Sequence, residues 1–376
     1  MRSLAVLVAA LGDAHLGRSY YPHVTAEGVN QREHDFEVAF EAAVDAALAE
    51  GPGLVVWLGD IFDHPRPTYR SFRVAQRALA RIRDHGVAAV VISGNHDTPR
   101  LPGTGSPYSA LADAFSGLHF AHRLTYQRFE LAGLVVHAVP QMMSVEASLE
   151  ALVEADRSRS LDATNLLLTH PRVPQVQPKY SDINEIEVDA GLIRSDLVLL
   201  GHYHNYTQVE PGMWYAGSTD SFSFADEPER PKGIVVLETD TGECRHVPVA
   251  GHRQLMTLET VEALGMSLGD LEGQMLARLS QVPEGAVARL FVEGVDPQAW
   301  RLLDADGLRE AHRGALHVKI EPHFAGVRAE VEMVSLDSMP ARWSRYVAGQ
   351  DLTGFDRERV EQLGSEYLTR AVERAG

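Results

Sequence analysis

Short, continuous hydrophobic runs recur along the first 200 residues, and stretches with apolar residues at every third or fourth position separate them. A run of five to eight apolar residues indicates a strand buried on both faces, whereas the wider spacing indicates a helix with one buried face. The first elements predicted in this way are strands at 4–11, 54–58 and 87–92 and helices at 32–50 and 69–85. This alternation of strand and helix implies right-handed crossovers and a parallel sheet.

The elements predicted after residue 100 are shorter. Helices are expected at 108–115 and 145–155, and strands at 118–121, 126–131, 134–138, 165–168, 197–200, 213–216, 233–238 and 244–249. The last three strands look antiparallel. The pattern up to residue 250 therefore predicts an α/β fold in which two mixed β-sheets pack together and helices flank them.

The pattern changes again beyond residue 250. It predicts a small α/β module with strand 254–258, helix 267–279, strand 286–292, helix 297–310 and strand 316–322. A linker at 323–340 and C-terminal helices follow. We therefore expect three parts, residues 1–250, 251–325 and 326–376. The last part carries an apolar stripe that belongs to a core or to a docking face, formed by Val360, Leu363, Tyr367 and Ala371.

Composition narrows the function classes. The chain has 376 residues, of which 45% are hydrophobic, and this is enough to form one large core and a smaller domain or two. Lys and Arg number 34 and Asp and Glu 52, and the resulting charge of −18 opposes non-specific attraction to DNA. The single cysteine, Cys244, excludes an internal disulfide and fits a reducing compartment.

The N-terminal apolar run superficially resembles a signal peptide. It ends in Gly12-Asp13-Ala14-His15 without a clear cleavage site, so we expect a buried strand and a cytoplasmic protein. No apolar segment approaches the roughly 20 residues needed to span a membrane.

Five of the predicted strands end in loops that bear Asp, Asn or His. These loop residues are Asp13 and His15, Asp60 and Asp63, Asn95 and His96, His170, and His202 and His204. A single histidine in such a loop is usually a structural residue. Five such loops indicate one site, because ligands of open α/β sheets bind at the carboxyl ends of the strands.

The residue types at these loops suit divalent metal ions. Carboxylate, amide oxygen and imidazole nitrogen are ligands of Mn, Fe or Zn, and the lack of a cysteine ligand argues against a structural zinc site. Two ions about 3.5 to 4 Å apart, bridged by a carboxylate, would activate a water and clamp a phosphoester. Asp60, which lies between the two groups of ligands in the sequence, is the expected bridge.

The motifs resemble those of a known family in their full order. Asp13-x-His15, Gly59-Asp60-x-x-Asp63, Gly94-Asn95-His96-Asp97, His170 and Gly201-His202-x-His204 resemble the calcineurin-like metallophosphoesterase superfamily. The residues around the first three motifs, and the segment Tyr215 to Thr219, are similar to those of SbcD-like nucleases, the nuclease subunits of bacterial SbcCD-type DNA repair complexes. The resemblance implies a four-layer fold with a capping domain at 251–325.

The resemblance also implies a role for each motif residue. One metal ion would be held by Asp13, His15, Asp60 and His204, and the other by Asp60, Asn95, His170 and His202. His96 would stabilise the phosphorane or protonate the leaving oxygen, and Asp63 would orient the His96 ring. Alternatively, Asp63 is a turn or helix-cap aspartate. For Asp97, a turn cap is the first expectation and a direct catalytic role the alternative.

Several weaker signals remain open. Basic residues after the second motif contact a DNA backbone or form a solvated helix face: His64, Arg66, Arg70 and Arg73. Arg172, Lys179 and Tyr180 lie in a long loop that could position a substrate. In the SbcD-like family, helices after the capping domain bind the coiled coil of the ATPase SbcC. Such a partner would add a basic DNA-binding surface.

These observations lead to three hypotheses. The first is a Mn-dependent DNA nuclease with 3′ to 5′ exonuclease activity on duplexes and endonuclease activity on single strands, working as a homodimer with an SbcC-like ATPase. The second is a stand-alone metallophosphoesterase that acts on nucleotides or other phosphoesters. The third is a scaffold subunit that binds DNA ends without cutting them.

Overall fold

The computed structural model describes residues 5–101, 104–176, 185–224, 230–325, 343–344, 346–347 and 356–375. Lys179, Tyr180, most of the predicted linker and the side chain of Ala371 lie outside this part of the chain.

The helices agree closely with the predicted ones up to residue 279. In chain order they are α1 (Gln31–Ala49), α2 (Tyr69–Asp84), α3 (Pro107–Ala114), α4 (Val145–Arg157), α5 (Leu268–Leu279), α6 (Pro297–Leu302), α7 (Ala305–Ala311) and α8 (Arg357–Ala375). The single helix predicted at 297–310 is two helices, because Leu303 has an extended ψ of 140° that ends α6. Within the described residues, no helix is both long and apolar enough to cross a lipid bilayer.

The strands form three sheets. In chain order they are β1 (Leu7–Leu11), β2 (Leu54–Leu58), β3 (Ala88–Ile92), β4 (His119–Ala121), β5 (Gln127–Leu131), β6 (Leu134–Val139), β7 (Asn165–Thr169), β8 (Leu197–Leu200), β9 (Thr207–Glu210), β10 (Met213–Tyr215), β11 (Gly233–Glu238), β12 (Cys244–Pro248), β13 (Leu255–Thr257), β14 (Val261–Glu262), β15 (Val287–Val295) and β16 (His317–Phe324).

The first two sheets have six strands each and are both mixed. The first has the order β12-β11-β1-β2-β3-β4, with β1 to β4 parallel and β11 and β12 antiparallel. The second has the order β5-β6-β7-β8-β10-β9, in which the four central strands are parallel. The predicted fold class is therefore confirmed.

Alternate residues of one strand show how the layers pack. Ala9 and Leu11 of β1 belong to a core shared with α1 and α2, whereas Val8 and Ala10 belong to a core between the two sheets. The second sheet packs its other face on α4 through a third core. Because both faces of each sheet are covered, the central strands are hydrophobic at every position.

Within the first two sheets, two strands differ from the sequence prediction. β10 was expected to be antiparallel, but it pairs in parallel with β8 and antiparallel only with β9. β9 was not predicted at all. Its residues alternate between half-buried and exposed, and the sequence Thr-Gln-Val-Glu contains one apolar residue, so no hydrophobic run marks it as a strand.

Helices α1 and α2 are joined by ion pairs. Arg70 makes a bidentate contact with Glu37, with an Nε to Oε1 distance of 2.7 Å. One and two turns further along α1, Glu41 accepts a hydrogen bond of 2.7 Å from Arg77 and Asp45 pairs with Arg81. Several basic residues of α2 thus neutralise acids of α1, and Arg70, which had been considered for DNA contact, is one of them.

The residue contacts divide the chain into two compact units. The first comprises residues 1–259, 276–290 and 306–319, and the second comprises residues 260–275, 291–305 and 320–376. In the second unit, the Trp343 indole donates a hydrogen bond of 3.0 Å to the carbonyl oxygen of Glu361 on α8 and packs against Gly364, where a side chain would collide with the ring. The division of the chain into a catalytic domain, a capping domain and a tail stays a prediction.

Candidate metal centre

The residues singled out in the sequence converge at one edge of the two packed sheets. Strands β1, β2 and β3 of the first sheet and β7 and β8 of the second each end one to three residues before one of them. Among the described residues, three groups have ligand atoms that all lie within 4.8 Å of one another: Asp13 with His15 and His204; His15 with Asp60 and His96; and Asp13 with Asp60 and His170. The side chains of Asn95 and Asp63 contact members of these groups, and the His202 side chain contacts Asn95.

The backbone at this edge is strained. Asp13, His15, Asp60 and His202 all have positive φ angles, of 46°, 47°, 49° and 94°. Residues other than glycine rarely adopt positive φ angles, because this backbone conformation costs about 1 to 3 kcal/mol per residue. Such strain concentrates at functional sites. The loops therefore turn sharply, which brings polar side chains into the cluster immediately after hydrophobic strands.

Two motif glycines allow the loops to approach one another. A Cβ atom on Gly59 would collide with the His170 ring, and one on Gly94 would collide with the Asp60 carboxylate. The close approach explains why the second and third motifs each contain a glycine before the polar residues.

The first predicted metal group comprises Asp13, His15, Asp60 and His204. The Nε2 atoms of His15 and His204 are 3.2 Å apart, and His15 Nε2 is 4.0 Å from Asp60 Oδ2. Both oxygens of Asp13 accept the backbone N–H of His202, at 3.0 and 3.1 Å, which fixes the carboxylate.

The second predicted metal group comprises Asp60, Asn95, His170 and His202. His170 Nε2 lies 3.2 Å from Asp60 Oδ2 and 3.1 Å from Asn95 Oδ1, and Asn95 Oδ1 is 3.2 Å from His202 Nδ1. The other nitrogen of His170 lies 2.5 Å from the carbonyl oxygen of Leu58. Since that contact makes Nδ1 the donor, Nε2 is the atom directed at the cluster.

These donors fit divalent metal ions. Two imidazole nitrogens face each other across 3.2 Å, a contact in which only one can donate a hydrogen bond, and buried carboxylates lie beside them. Nitrogen and oxygen ligands of this kind suit Mn, Fe or Zn. Asp60 belongs to two of the three groups of ligand atoms, and so do Asp13 and His15, so group membership does not by itself identify the bridging carboxylate.

The electrostatics couple Asp60 to His170. Burial opposes both charges, but the two groups stabilise each other. The charge of His170 lowers the pKa of Asp60, and the charge and hydrogen bond of Asp60 raise the pKa of His170 to about 9. Burial lowers the pKa of His15. At neutral pH the metal-free cluster therefore holds a protonated His170 and a neutral His15.

His96 and Asp63 lie beside the metal ligands. The backbone N–H of His96 donates to Asp60 Oδ1 at 2.8 Å, and its Nδ1 is 3.2 Å from the Asp63 carbonyl oxygen and 3.6 Å from Asp63 Oδ1. The Asp63 carboxylate is closer to His15, at 3.2 Å from Nδ1. Asp63 thus contacts two rings. The sequence predicted its contact with His96, and the shorter contact of that ring is with the Asp63 carbonyl oxygen and not with the carboxylate.

Asp97 has a structural position. It is buried, and it accepts hydrogen bonds from the backbone N–H groups of Gly94 (2.9 Å) and Phe62 (3.4 Å) and from the Tyr108 hydroxyl. Burial and the charge of Asp60 raise its pKa to about 7. Asp97 ties the second and third motif loops to α3, which extends the turn-capping role expected from the sequence.

Residues 6–206 match the family model described as calcineurin-like phosphoesterase. The chain belongs to the calcineurin-like phosphoesterase family. The resemblance seen in the motifs is thereby confirmed, as is the expectation of an enzyme that acts on phosphoester bonds.

Curated relatives of this phosphoesterase are described as DNA double-strand break repair protein Mre11. The protein from Saccharolobus solfataricus is 29% identical over 201 residues, which cover 53% of this chain and 49% of the relative. The Thermoplasma acidophilum protein is 26% identical over 244 residues, 61% of each chain. The Methanosarcina mazei protein is 25% identical over 329 residues, 85% of this chain and 50% of the relative. The matches thus span about half to three fifths of the relatives' length.

The structure of this phosphoesterase adds residues that the sequence analysis missed. Phe222 packs its ring 4.5 Å from that of His15 and 4.9 Å from that of His204. Lys232 is buried and donates to the carbonyl oxygen of His204 at 2.6 Å and to Asn205 Oδ1 at 2.9 Å. Phe222 lies three residues beyond the Tyr215 to Thr219 segment, which could have drawn attention to it. Lys232 lies among charged residues, and nothing in the sequence around it indicates that it is buried beside the site.

Tyr215 supports the loop that carries His170. Its buried hydroxyl donates to the carbonyl oxygen of Pro171 and accepts the N–H of Val173, both at 2.8 Å. A cleft of about 230 Å³ opens beside the phosphoesterase site, lined by residues that include Asn95, Arg100 and Gln141. The site is therefore supported on one side and open to a substrate on another.

Proposed function

We propose that this chain is a metal-dependent DNA nuclease of double-strand break repair that hydrolyses phosphodiesters with two metal ions. The observation that carries the proposal is the convergence of ligands from five loops at one edge of the two sheets, where Asp60 lies 3.2 Å from His170 and 4.0 Å from His15. The name shared by the relatives supports DNA as the substrate.

The proposed metal ligands follow the two groups of side chains. One ion would be bound by Asp13, His15, Asp60 and His204, and the other by Asp60, Asn95, His170 and His202. The donor set mixes imidazole nitrogens with carboxylate and amide oxygens and suits Mn, Fe or Zn, of which we propose Mn. Such ions, when bound, polarise a phosphoester and lower the pKa of a water molecule.

His96 is the proposed general acid. Its Nδ1 is directed to the Asp63 carbonyl oxygen, which leaves Nε2 as the ring nitrogen that can hand a proton to the leaving oxygen. The His96 side chain is 32% exposed, whereas those of His15 and His170 are buried, so a substrate can reach it. Asp63 keeps the His15 and His96 rings in place.

Further aspects of the proposal concern location and partners. A cytoplasmic location fits the reduced Cys244. An SbcC-like coiled-coil ATPase would supply basic surface that offsets the charge of −18, and a homodimer would engage both ends of a break. Exonuclease action on duplexes and endonuclease action on single strands are the expected activities.

The test uses the full chain stripped of metal and reloaded with Mn, Mg or Zn. We expect Mn to support cleavage of end-labelled linear duplex, hairpin and circular single-stranded DNA. His96→Gln should lower kcat by at least about a hundredfold, as removal of a general acid does, with metal affinity unchanged. His85→Gln, on the exposed C-terminal end of α2, is the matched control and should behave as the wild type.

Two outcomes would contradict the proposed nuclease function. If the chain hydrolyses bis(p-nitrophenyl) phosphate but no DNA, with or without a coiled-coil ATPase, it is a stand-alone phosphoesterase. If it binds DNA ends and cleaves no phosphoester with any of the metals, it is a scaffold subunit.

A further inference from the structure

One cation beside the candidate metal centre has no role in the function described so far. Arg18 lies in the loop after the first motif, and its backbone N–H bonds to the carbonyl oxygen of His15 at 3.0 Å. Its guanidinium donates to the two oxygens of Asp63 at 3.3 and 3.4 Å. Asp63 in turn contacts His15 and His96, so Arg18 lies at the side of the centre where the proposed general acid is located.

Two aromatic rings hold the Arg18 side chain. Its Cζ atom lies 4.7 Å from the centroid of the Tyr20 ring and 4.4 Å from that of Phe222, and the Phe222 ring also packs on His15. Cation–π contacts of this kind orient a guanidinium without using its N–H donors. The two rings thus restrict the position of the guanidinium before any ligand arrives.

The donors of Arg18 remain largely available. A guanidinium carries five N–H groups, and charge-assisted bonds to a carboxylate are usually 2.7 to 2.9 Å long. Both contacts to Asp63 are longer, and among the described residues no other side chain accepts a hydrogen bond from this guanidinium. With 31% of the side chain exposed, an anion in solution can reach the remaining donors.

Two other cations near the centre are engaged by protein groups. Lys232 is buried against the carbonyl oxygen of His204 and the side chain of Asn205. Arg172 pairs with Glu185 and Glu187. Arg18 is therefore placed to contribute positive charge on the His96 side of the centre.

We propose that Arg18 binds a non-bridging oxygen of the phosphate next to the scissile one on a nucleic acid strand. Asp63 lies between Arg18 and His96, so the guanidinium stands one residue away from the group that acts on the leaving oxygen. For this reason we assign Arg18 to the neighbouring phosphate and not to the scissile one. The proposal rests on the proposed nuclease function, and it makes Arg18 a determinant of preference for a polynucleotide over a small phosphodiester.

The first test measures binding without catalysis. The affinity of the full-length, metal-free protein for a fluorescent 12-nucleotide single strand is measured by anisotropy in EDTA. Arg18→Gln should weaken binding roughly tenfold, as expected for the loss of one charge-assisted hydrogen bond. It should also lower the slope of log Kd against log salt by about 0.7, the value for one phosphate contact on a single strand. Arg18→Lys keeps the charge, and its affinity for the strand should lie between those of the wild type and Arg18→Gln.

Arg77→Gln is the matched control, because Arg77 is exposed and paired with Glu41 on the α1–α2 surface. It should bind as the wild type. Asp63→Asn separates the two roles of the Arg18–Asp63 contact. If Arg18 acts on a phosphate, this variant binds the strand as well as or better than the wild type, whereas a purely structural pair predicts the same loss as Arg18→Gln. Thermal unfolding midpoints verify that each variant is folded.

A second test compares substrates. With Mn, Arg18→Gln should lower kcat/KM for the oligonucleotide roughly tenfold and leave hydrolysis of bis(p-nitrophenyl) phosphate, which has no neighbouring phosphate, unchanged. Equal losses on both substrates, or binding and salt slopes equal to those of Arg77→Gln, overturn the role of Arg18 and leave the nuclease intact. A wild-type protein that neither binds nor cleaves nucleic acid overturns both proposals.

Discussion

At the scale of single residues, proton occupancy at His170 decides when the candidate centre can accept a metal ion. In the metal-free protein Asp60 raises the pKa of His170 to about 9, so the ring is charged at pH 7. A metal ion at Nε2 needs the lone pair that the proton occupies. The neutral His15, whose pKa is lowered by burial, poses no such competition.

We therefore expect metal binding to expel one proton from His170. The apparent affinity should rise about tenfold per pH unit up to about pH 9, because one proton competes with the ion below that pKa. Calorimetric titrations of Mn in two buffers of different ionisation enthalpy would measure the released proton at pH 7. His170→Asn, which has no titrating ring, should bind more weakly with a flatter pH dependence, and an unchanged dependence in this variant would contradict the assignment.

Residue types and their order along the chain were enough to predict which side chains converge. The contacts inside the cluster were beyond prediction, because they depend on distances of a few tenths of an ångström between loops far apart in sequence. Asp63 illustrates this limit. The sequence paired it with His96, but its carboxylate lies closer to His15 and also contacts Arg18, which lies 45 residues away. Nothing in the local pattern around Arg18 encodes that contact.

At the scale of elements, the hydrophobic runs predicted nearly all strands of the first two sheets, because strands covered on both faces carry a continuous apolar signal. β9 gives no such signal. The pairing of β10 with β8 was equally hidden, since strand direction depends on where the chain returns. The break between α6 and α7 begins at Leu303, and leucine is a residue type that is common inside helices, so the sequence does not mark the break.

The contact between α3 and the loop that carries Asp97 can be tested directly. Tyr108 is buried, and its hydroxyl donates to Asp97, whose pKa burial and Asp60 raise to about 7. A carboxyl with a raised pKa contributes most to stability when protonated, below the unfolded pKa near 4, and that contribution is lost as pH rises through 7. The Tyr108 hydroxyl stabilises the charged form that appears above this pH.

Tyr108→Phe should therefore lower the unfolding midpoint more at pH 8 than at pH 5. The lost hydrogen bond to a charged group corresponds to about 1.5 to 3 kcal/mol at the higher pH. Thermal unfolding of the metal-free protein at both pH values would measure the difference. Tyr69→Phe is the matched control, because Tyr69 is 92% exposed at the start of α2 and should change neither midpoint. Equal losses at pH 5 and pH 8 would show that Asp97 is not the group involved.

At the scale of the whole molecule, the charge of −18 stands against the proposed substrate. Arg18 and the other cations near the centre act only locally, and long-range repulsion of DNA remains. A partner with a basic surface would remove the conflict. The sequence predicted such a partner by resemblance, and it also predicted an apolar stripe at 360–371 without indicating whether the stripe is covered.

The second compact unit gives part of the answer. Near the start of α8, Val360 and Leu363 are half-buried, and the Trp343 ring packs against this part of the helix at Gly364. One turn further on, Tyr367 is 68% exposed. The stripe thus contributes to its own unit at one end and presents an aromatic side chain at the other, which is the type of residue that anchors protein interfaces.

If α8 docks the coiled coil of an SbcC-like ATPase, Tyr367→Asp should weaken the complex at least tenfold, because a buried charge replaces an aromatic anchor. Light scattering of mixtures with the candidate ATPase would measure assembly. DNA binding by the mixture should be tighter and more sensitive to salt than binding by the chain alone, because a basic partner adds phosphate contacts. Leu302→Asp, at an exposed leucine of α6, is the matched control and should assemble normally. Normal assembly by Tyr367→Asp would place the ATPase contact elsewhere, and the nuclease activity of the isolated chain would be unaffected by that result.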